Sequence, residues 1–345
     1  MSDETYAENI MTVSFDYSSQ AQQVQAEAML ALIAQEMANT TDKLYLLIDP
    51  VPLVLQPDTT FCDRLVARQP VPVSLPHKAI SMQDYPWLLP LDLSREDDRQ
   101  LLSQSIAVAL DEIHPDKLCR KMGRAVCGWL TSPYPIDDVA KQLGHTAIQQ
   151  QPDHRMMRMR YYDPAVNSIL WPVLEDFRQK RLMGILSRWM LVDGDGQPVI
   201  RRHRADSALH LTFLLGLSQV QTDFILHDAG IINRALRRYR LLSTHTPRYP
   251  ELTAARLVSE ALERLRLHPA FHDDDEWEDL AFHILYDHPY IDCHPKIDYL
   301  LDPSTFTADV PWRERIRNIS VQTWAQYARE CLAQEEQRAT ENANG

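Results

Sequence analysis

Residues 43–48 run Lys-Leu-Tyr-Leu-Leu-Ile, almost wholly apolar, and stop at Asp49-Pro50. So short an apolar run, without alternation, predicts a strand buried on both faces. Before it, residues 19–37 place Val24, Ala28, Leu32 and Ile33 on one side of a helix, with Gln and Glu filling the rest. Residues 87–93 predict a second strand, whose internal Pro90 points to an edge or a strand end. Leu102, Ile106, Leu110 and Ile113 trace a helix over residues 95–113. Residues 124–130 predict a third strand, and Val139, Leu143 and Ala147 mark a helix over residues 136–148.

Residues 156–162 read Met-Met-Arg-Met-Arg-Tyr-Tyr, the period of two of a fourth strand with one buried face. The pattern then breaks. Asp163 suits a helix N-cap, and Pro164 suits the first helical position, where a missing N–H costs nothing. A helix is expected next, over residues 165–180. Residues 189–192 predict a last strand, closed by the hairpin turn Asp193-Gly194-Asp195-Gly196.

Strands alternating with helices predict an α/β domain over residues 1–204, a mixed sheet with flanking helices. After Arg201-Arg202-His203-Arg204 the pattern turns helical. Leu257, Ala261, Leu262 and Leu265 form one stripe, and Ile316, Ile319, Trp324, Tyr327 and Cys331 a less regular one. An all-α lobe over residues 205–345 is therefore expected, with a polar tail after about residue 335.

Composition narrows the functional classes. The 345 residues favour two domains or lobes. No stretch offers the ~20 apolar residues of a membrane helix; the longest apolar run, near residues 209–217, is interrupted by His210, Thr212 and Gly216. The acidic, polar residues 1–9 do not resemble a signal peptide. Five scattered cysteines without a CxxC pair predict reduced thiols and a cytoplasmic protein. A net charge of −13 argues against general nucleic-acid binding.

Chemistry has two candidate regions. His268, His272, Asp273, Asp274, Asp275, His283, His288, Cys293 and His294 crowd together, but their spacing fits no zinc template. His268, His288 and His294 precede prolines, which favours turn histidines beside a solvated acidic loop. His227-Asp228, with His210 and Asp223 as possible companions, raises the alternative of an all-helical metal-dependent phosphohydrolase. The plainer reading is a helix end before Gly230. No nucleophile elbow, protease-like cysteine or phosphate loop is present. No catalytic residue, metal or cofactor is expected. Arg155, Arg158, Arg160, Arg178, Lys180, Arg181 and Arg188 surround the 156–164 segment, either as a docking patch for an acidic partner or as one side of internal ion pairs.

Arg160-Tyr161-Tyr162-Asp163-Pro164, the apolar helix after it, and Gly184-Ile185-Leu186-Ser187-Arg188-Trp189 together resemble the bacterial type VI secretion adaptor (effector-chaperone) family. The resemblance covers residues 43 to about 204, opening at Leu44-Tyr45-Leu46-Leu47-Ile48-Asp49 and continuing through Gly128-Trp129-Leu130. It implies a non-enzymatic cytoplasmic protein that binds a secretion effector and helps load it onto the VgrG spike tip, without nucleic acid or membrane insertion. Arg158, Arg160, Tyr161, Tyr162, Trp171 and Arg188 are then the expected partner-binding residues, with Asp163 and Pro164 as the structural helix cap.

Overall fold

The computed structural model describes residues 12–54, 59–119, 123–204, 213–242, 247–266, 274–302 and 310–343. In chain order the first part holds α1 (Ser19–Ala38), β1 (Lys43–Ile48), α2 (Pro50–Val54), α3 (Thr60–Ala67), β2 (Val71–Pro72), β3 (Trp87–Leu91) and α4 (Glu96–Asp111). It continues with α5 (Pro115–Leu118), β4 (Val126–Ser132), α6 (Ile136–Thr146), β5 (Ile148–Gln150), β6 (Met156–Arg158), α7 (Pro164–Leu170), α8 (Asp176–Met183), β7 (Arg188–Val192) and β8 (Pro198–Arg202). Six strands form one sheet in the order β2-β3-β1-β4-β7-β8, with every pairing antiparallel. The α/β class is as the pattern predicts, but the sheet is antiparallel rather than mixed.

The apolar run of β1 has its reason in this order. Leu44, Leu46 and Ile48 face a core shared with α1, α3 and α4, while Tyr45 and Leu47 face a second core shared with α6, α7 and α8. Helices therefore cover both faces of a strand that also has a neighbour on each edge. β3 is not at the edge, although it carries Pro90. β2 pairs only with Trp87 and Leu88, so Pro90 lies past its end, opposite Tyr45.

Two segments depart from the expected elements. The fourth strand stops at Arg158 and pairs only with β5, as a hairpin apart from the main sheet. Met159 then donates its N–H to Ala147 O (2.8 Å), and the tyrosines turn into the core. The single helix over residues 165–180 is two helices, α7 and α8, parted by a 3₁₀ turn at Trp171–Val173. Pro172 cannot supply the N–H that a continuous helix needs there.

β4 carries a bulge. Leu47 pairs with Gly128 and Ile48 with Val126, so Cys127 is the extra residue. The bulge lets Cys127 and Leu130 face one core while Val126 and Trp129 face the other. Gly128 sits at φ +128°, and a Cβ there would lie 2.5 Å from Met190 O and 2.9 Å from Trp189 Nε1. The two tryptophans are also fixed by hydrogen bonds, Trp189 Nε1 to Cys127 O (3.2 Å) and Trp129 Nε1 to Ser105 Oγ (3.0 Å).

The chain divides into two compact units. One spans Asp16–Ile225; the other begins at Leu226 and includes the described residues before Asp16. The first unit runs past residue 205 because residues 213–225 pack onto it. Leu215 and Leu217 enter its core, Leu215 N–H reaches Gln149 Oε1 (2.8 Å), and Gly216 O accepts from Arg178 (2.6 Å). α9 (Gln219–Asp223) completes it. Beyond Leu226 the regular elements of the second unit, apart from a single bridge between Val13 and Arg248, are helices: α10 (Ala229–Arg240), α11 (Glu251–Leu265), α12 (Asp274–Tyr286), α13 (Pro295–Leu301), α14 (Trp312–Ile316) and α15 (Val321–Ala343) among the described residues. The stripe Leu257, Ala261, Leu262 and Leu265 is buried.

Gly128→Ala is expected to destabilise the protein by about 2–3 kcal/mol, since the left-handed backbone and the Met190 carbonyl both reject a Cβ. Urea unfolding of the two proteins, followed by tryptophan fluorescence, checks this.

Candidate functional site

The chain has an Asp-Pro step at 49–50 and another at 163–164, and each begins a helix. Asp49 Oδ1 accepts the Val51 N–H (3.1 Å), and Asp163 Oδ1 accepts the Ala165 N–H (3.0 Å). Each proline takes the first helical position, where its missing N–H leaves no gap. Arg160 joins the two turns. Its Nη2 donates to Asp49 Oδ2 (2.7 Å) and lies 3.4 Å from Asp163 Oδ2. Burial works against the charge on Arg160, but Asp163 and Asp49 outweigh it and hold its pKa above the ordinary range.

A second pair of charged groups packs at the same end of the sheet. Glu112, which comes directly after α4, accepts the N–H groups of Ala125 (2.8 Å) and Val126 (3.2 Å) at the start of β4. Burial pushes its pKa up to about 7, against the opposing pull of those hydrogen bonds and of Arg124. Arg124 donates to Val192 O (2.7 Å). Burial also raises the pKa of Asp163, despite Arg160 and Arg124. It pushes the Cys127 thiol well up, with Asp49 and Asp163 adding to the effect. A carboxyl titrating near neutrality has the profile of an acid–base catalyst. Here both its oxygens are engaged by the backbone of β4, so its observed work is to hold that strand's first turn.

The expected partner-binding residues divide by exposure. Tyr161 is 0% exposed and Tyr162 1%, so neither ring is at the surface. Tyr161 packs edge-on against Trp189 (5.6 Å between centroids) and donates to Leu143 O (3.3 Å). Tyr162 OH accepts from Arg158 Nη2 (2.6 Å), and Arg158 also reaches Asp84 O (3.3 Å). Arg188 is half-buried between Glu36 (2.6 Å) and Asp42 (3.3 Å). Trp171 is half-buried beneath the Arg201 guanidinium (4.8 Å). Only Arg160, 42% exposed, keeps a substantial polar face towards solvent. α2, which starts directly after the Asp49 that Arg160 holds, presents Val51 and the 75% exposed Val54, and the turn packed against α2 presents Met82, 79% exposed. The pattern gave no sign of these three, because an exposed apolar residue in a short turn breaks no periodicity.

The basic residues around the motif are largely neutralised within their own unit. Arg155 pairs with Asp153 (2.6 Å), Arg178 with Glu175, Lys180 with Asp176, and Arg202 with Glu36 (2.6 Å). In the helical unit Arg238 meets Asp279 (2.6 Å), and Arg234 meets Glu278 (3.1 Å) and Asp274 (3.2 Å).

Of the metal candidates, Asp228 is paired with Arg266 (2.5 Å), His227 is exposed, and Asp223 accepts from Gln219 (2.7 Å). His210, His268, His272 and Asp273 lie outside the described residues. Among the described residues no group of three or more His, Cys, Asp or Glu side chains is placed to hold a metal ion. No helix among them is long and apolar enough to cross a membrane.

Residues 78–181 match a family model, DUF4123, described as a domain of unknown function. The match contains Arg160-Tyr161-Tyr162-Asp163-Pro164, Glu112 and Arg124, and excludes Asp49 and β1. No curated protein and no solved structure matches the chain.

The raised pKa of Glu112 has a defined effect on stability. A carboxyl whose folded pKa exceeds its unfolded value stabilises fully below the unfolded value, near 4.5, and loses that contribution as pH rises through about 7. Relative to Glu112→Gln, the wild type should therefore lose about 3 kcal/mol between pH 4.5 and 7.5. Urea midpoints of both proteins across that range test it; a constant difference between them would show that the Glu112 pKa is the same in the folded and unfolded protein.

Proposed function

We propose that this chain is a non-enzymatic bacterial adaptor that binds a type VI secretion effector and helps load it onto the VgrG spike tip. The observation that carries the reading is the Arg160–Pro164 junction. It is the segment on which the resemblance to that adaptor family is firmest, and the DUF4123 match spans it. The groups that looked chemical are consistent with a scaffold. Asp163 caps a helix, Arg160 bridges two buried carboxylates, and Asp228 is held by Arg266.

The face available to an effector beside this junction combines the open side of Arg160 with Val51, Val54 and Met82. Exposed apolar side chains next to a cation fit an apolar effector segment with an acidic flank, which would otherwise self-associate in water. The adaptor would cover that segment in the cytoplasm and release it when the spike offers a competing surface.

Purification of the tagged protein from its native bacterium, with mass spectrometry of the eluate, is expected to recover an effector and a spike protein. Recovery of neither overturns the adaptor reading. Val54→Asp with Met82→Asp should leave the urea midpoint within about 0.5 kcal/mol of wild type, as exposed positions do. Effector recovery with that double variant should fall at least about tenfold, as expected when about 1.4 kcal/mol of binding is lost. Unchanged recovery would move the binding face elsewhere. Tyr162→Ala is unsuited to this test, because it opens a cavity in the core.

A further inference from the structure

The last helix is attached differently from the others in its unit. α11 buries Ala254, Ala255, Leu257, Val258, Ala261, Leu262 and Leu265 along one face. α15 is held mainly through rings and carboxylates. Trp324 stacks on His283 (3.9 Å, 15°), and Tyr327 on His294 (4.3 Å, 25°). Glu330 Oε2 lies 2.8 Å from His294 Nε2, Glu335 Oε2 lies 3.5 Å from His288 Nε2, and Cys331 Sγ meets Tyr290 O (3.6 Å). The contacts at 324, 327, 331 and 335 have the spacing with which an amphipathic helix fills a groove.

The groove is built without help from α15. His283 is oriented by Asp287 (2.6 Å). Arg264 grips both oxygens of Asp292 (2.8 Å each) and lies over the Tyr290 ring (4.9 Å). The His294 ring nitrogen Nδ1 accepts the Lys296 N–H (3.3 Å) at the start of α13. The receptor side is therefore preorganised, while the helix seated in it buries only Trp324 and Cys331 among its described residues and otherwise depends on polar pairs whose glutamate side is exposed. Such pairs contribute at most about 1 kcal/mol each. Elements held this way open locally at lower free energy than a helix with a full apolar face.

We propose that the His283–His288–His294 groove is a helix-binding site, occupied in cis by α15. Its partner is an amphipathic helix with two aromatic residues three apart and a carboxylate three residues further on. The template is the seated sequence Trp324-x-x-Tyr327-x-x-Glu330, and the inference stands independently of the adaptor reading.

Hydrogen–deuterium exchange on the full chain provides the first test. Amides of residues 324–335 should exchange at least about tenfold faster than those of α11 and α12. Tyr327→Ala should speed them about tenfold further and leave α11 and α12 unchanged. A synthetic peptide of residues 321–337 should then bind full-length Tyr327→Ala protein at least about tenfold more tightly than wild type, and a scrambled peptide should not. Exchange of α15 at the rate of α11 and α12, or joint acceleration of all three helices in Tyr327→Ala, would overturn the proposal. So would a peptide that fails to bind Tyr327→Ala protein in which α11 and α12 are unchanged.

Discussion

The guanidinium of Arg160 is the contact on which one end of the sheet depends. Two helices begin there, α2 after β1 and α7 after the hairpin, and each starts from an Asp-Pro step whose side-chain oxygen accepts a backbone N–H. The side chain of Asp49 is almost wholly buried and that of Asp163 largely so. A buried carboxylate without a counter-charge is costly, and removing one partner of such a pair typically costs several kcal/mol. Arg160 answers both at once, so it ties the end of the central strand to the start of α7. This dual role explains the spacing of the motif: Arg at i and Asp at i+3 face the same turn, and the two tyrosines between them are directed into the core.

Glu112 and Arg124 extend the same balance of charge. Among the described residues, Asp49, Glu112 and Asp163 face the guanidiniums of Arg124 and Arg160 at this end of the sheet. Three carboxylates against two guanidiniums leave one negative charge in excess, in a place poorly reached by water. A proton on one carboxyl removes the excess, and Glu112 is the one whose pKa lies near neutrality. The shift itself comes first from burial, with Asp163 adding to it and Arg124 and the two backbone N–H groups opposing it, so it needs no recourse to catalysis.

Local rules made much of this legible. The all-apolar β1, α1 and the Asp163-Pro164 helix start were readable because each depends on residues adjacent in the chain. The failures share a cause. Alternation from Met156 to Tyr162 looked like one strand, but β5 offers only three residues of pairing. The path of the chain past Arg158 is decided instead by the core that receives Tyr161 and Tyr162. The break between α7 and α8 had a signal in Pro172 that helical periodicity masked. The Arg160–Asp49 pair spans 111 residues and the Arg188–Glu36 pair 152. Contacts at such separations exist only once the strand order is set, and no local pattern in a single sequence carries them. The exposed Val51, Val54 and Met82 were invisible for the opposite reason, since the pattern records what is buried.

The DUF4123 match sharpens what kind of unit this is. It contains β3 and β4 but not β1, and in the sheet β1 lies between them. The matched segment therefore cannot form its own sheet in this arrangement; it needs the strand before it, just as Arg160 needs Asp49. Trp189, against which Tyr161 packs, also lies beyond the match. The family model thus marks the middle of a scaffold whose two sides are supplied by flanking sequence. The helical unit lies wholly outside it, and so does the α15 groove. A chain built in this way can keep the buried charge cluster as a fixed frame while the helices beyond residue 225 change their surfaces. Within the first unit the same separation holds on a smaller scale, because the exposed Val51, Val54 and Met82 can change without touching the buried carboxylates that Arg160 joins.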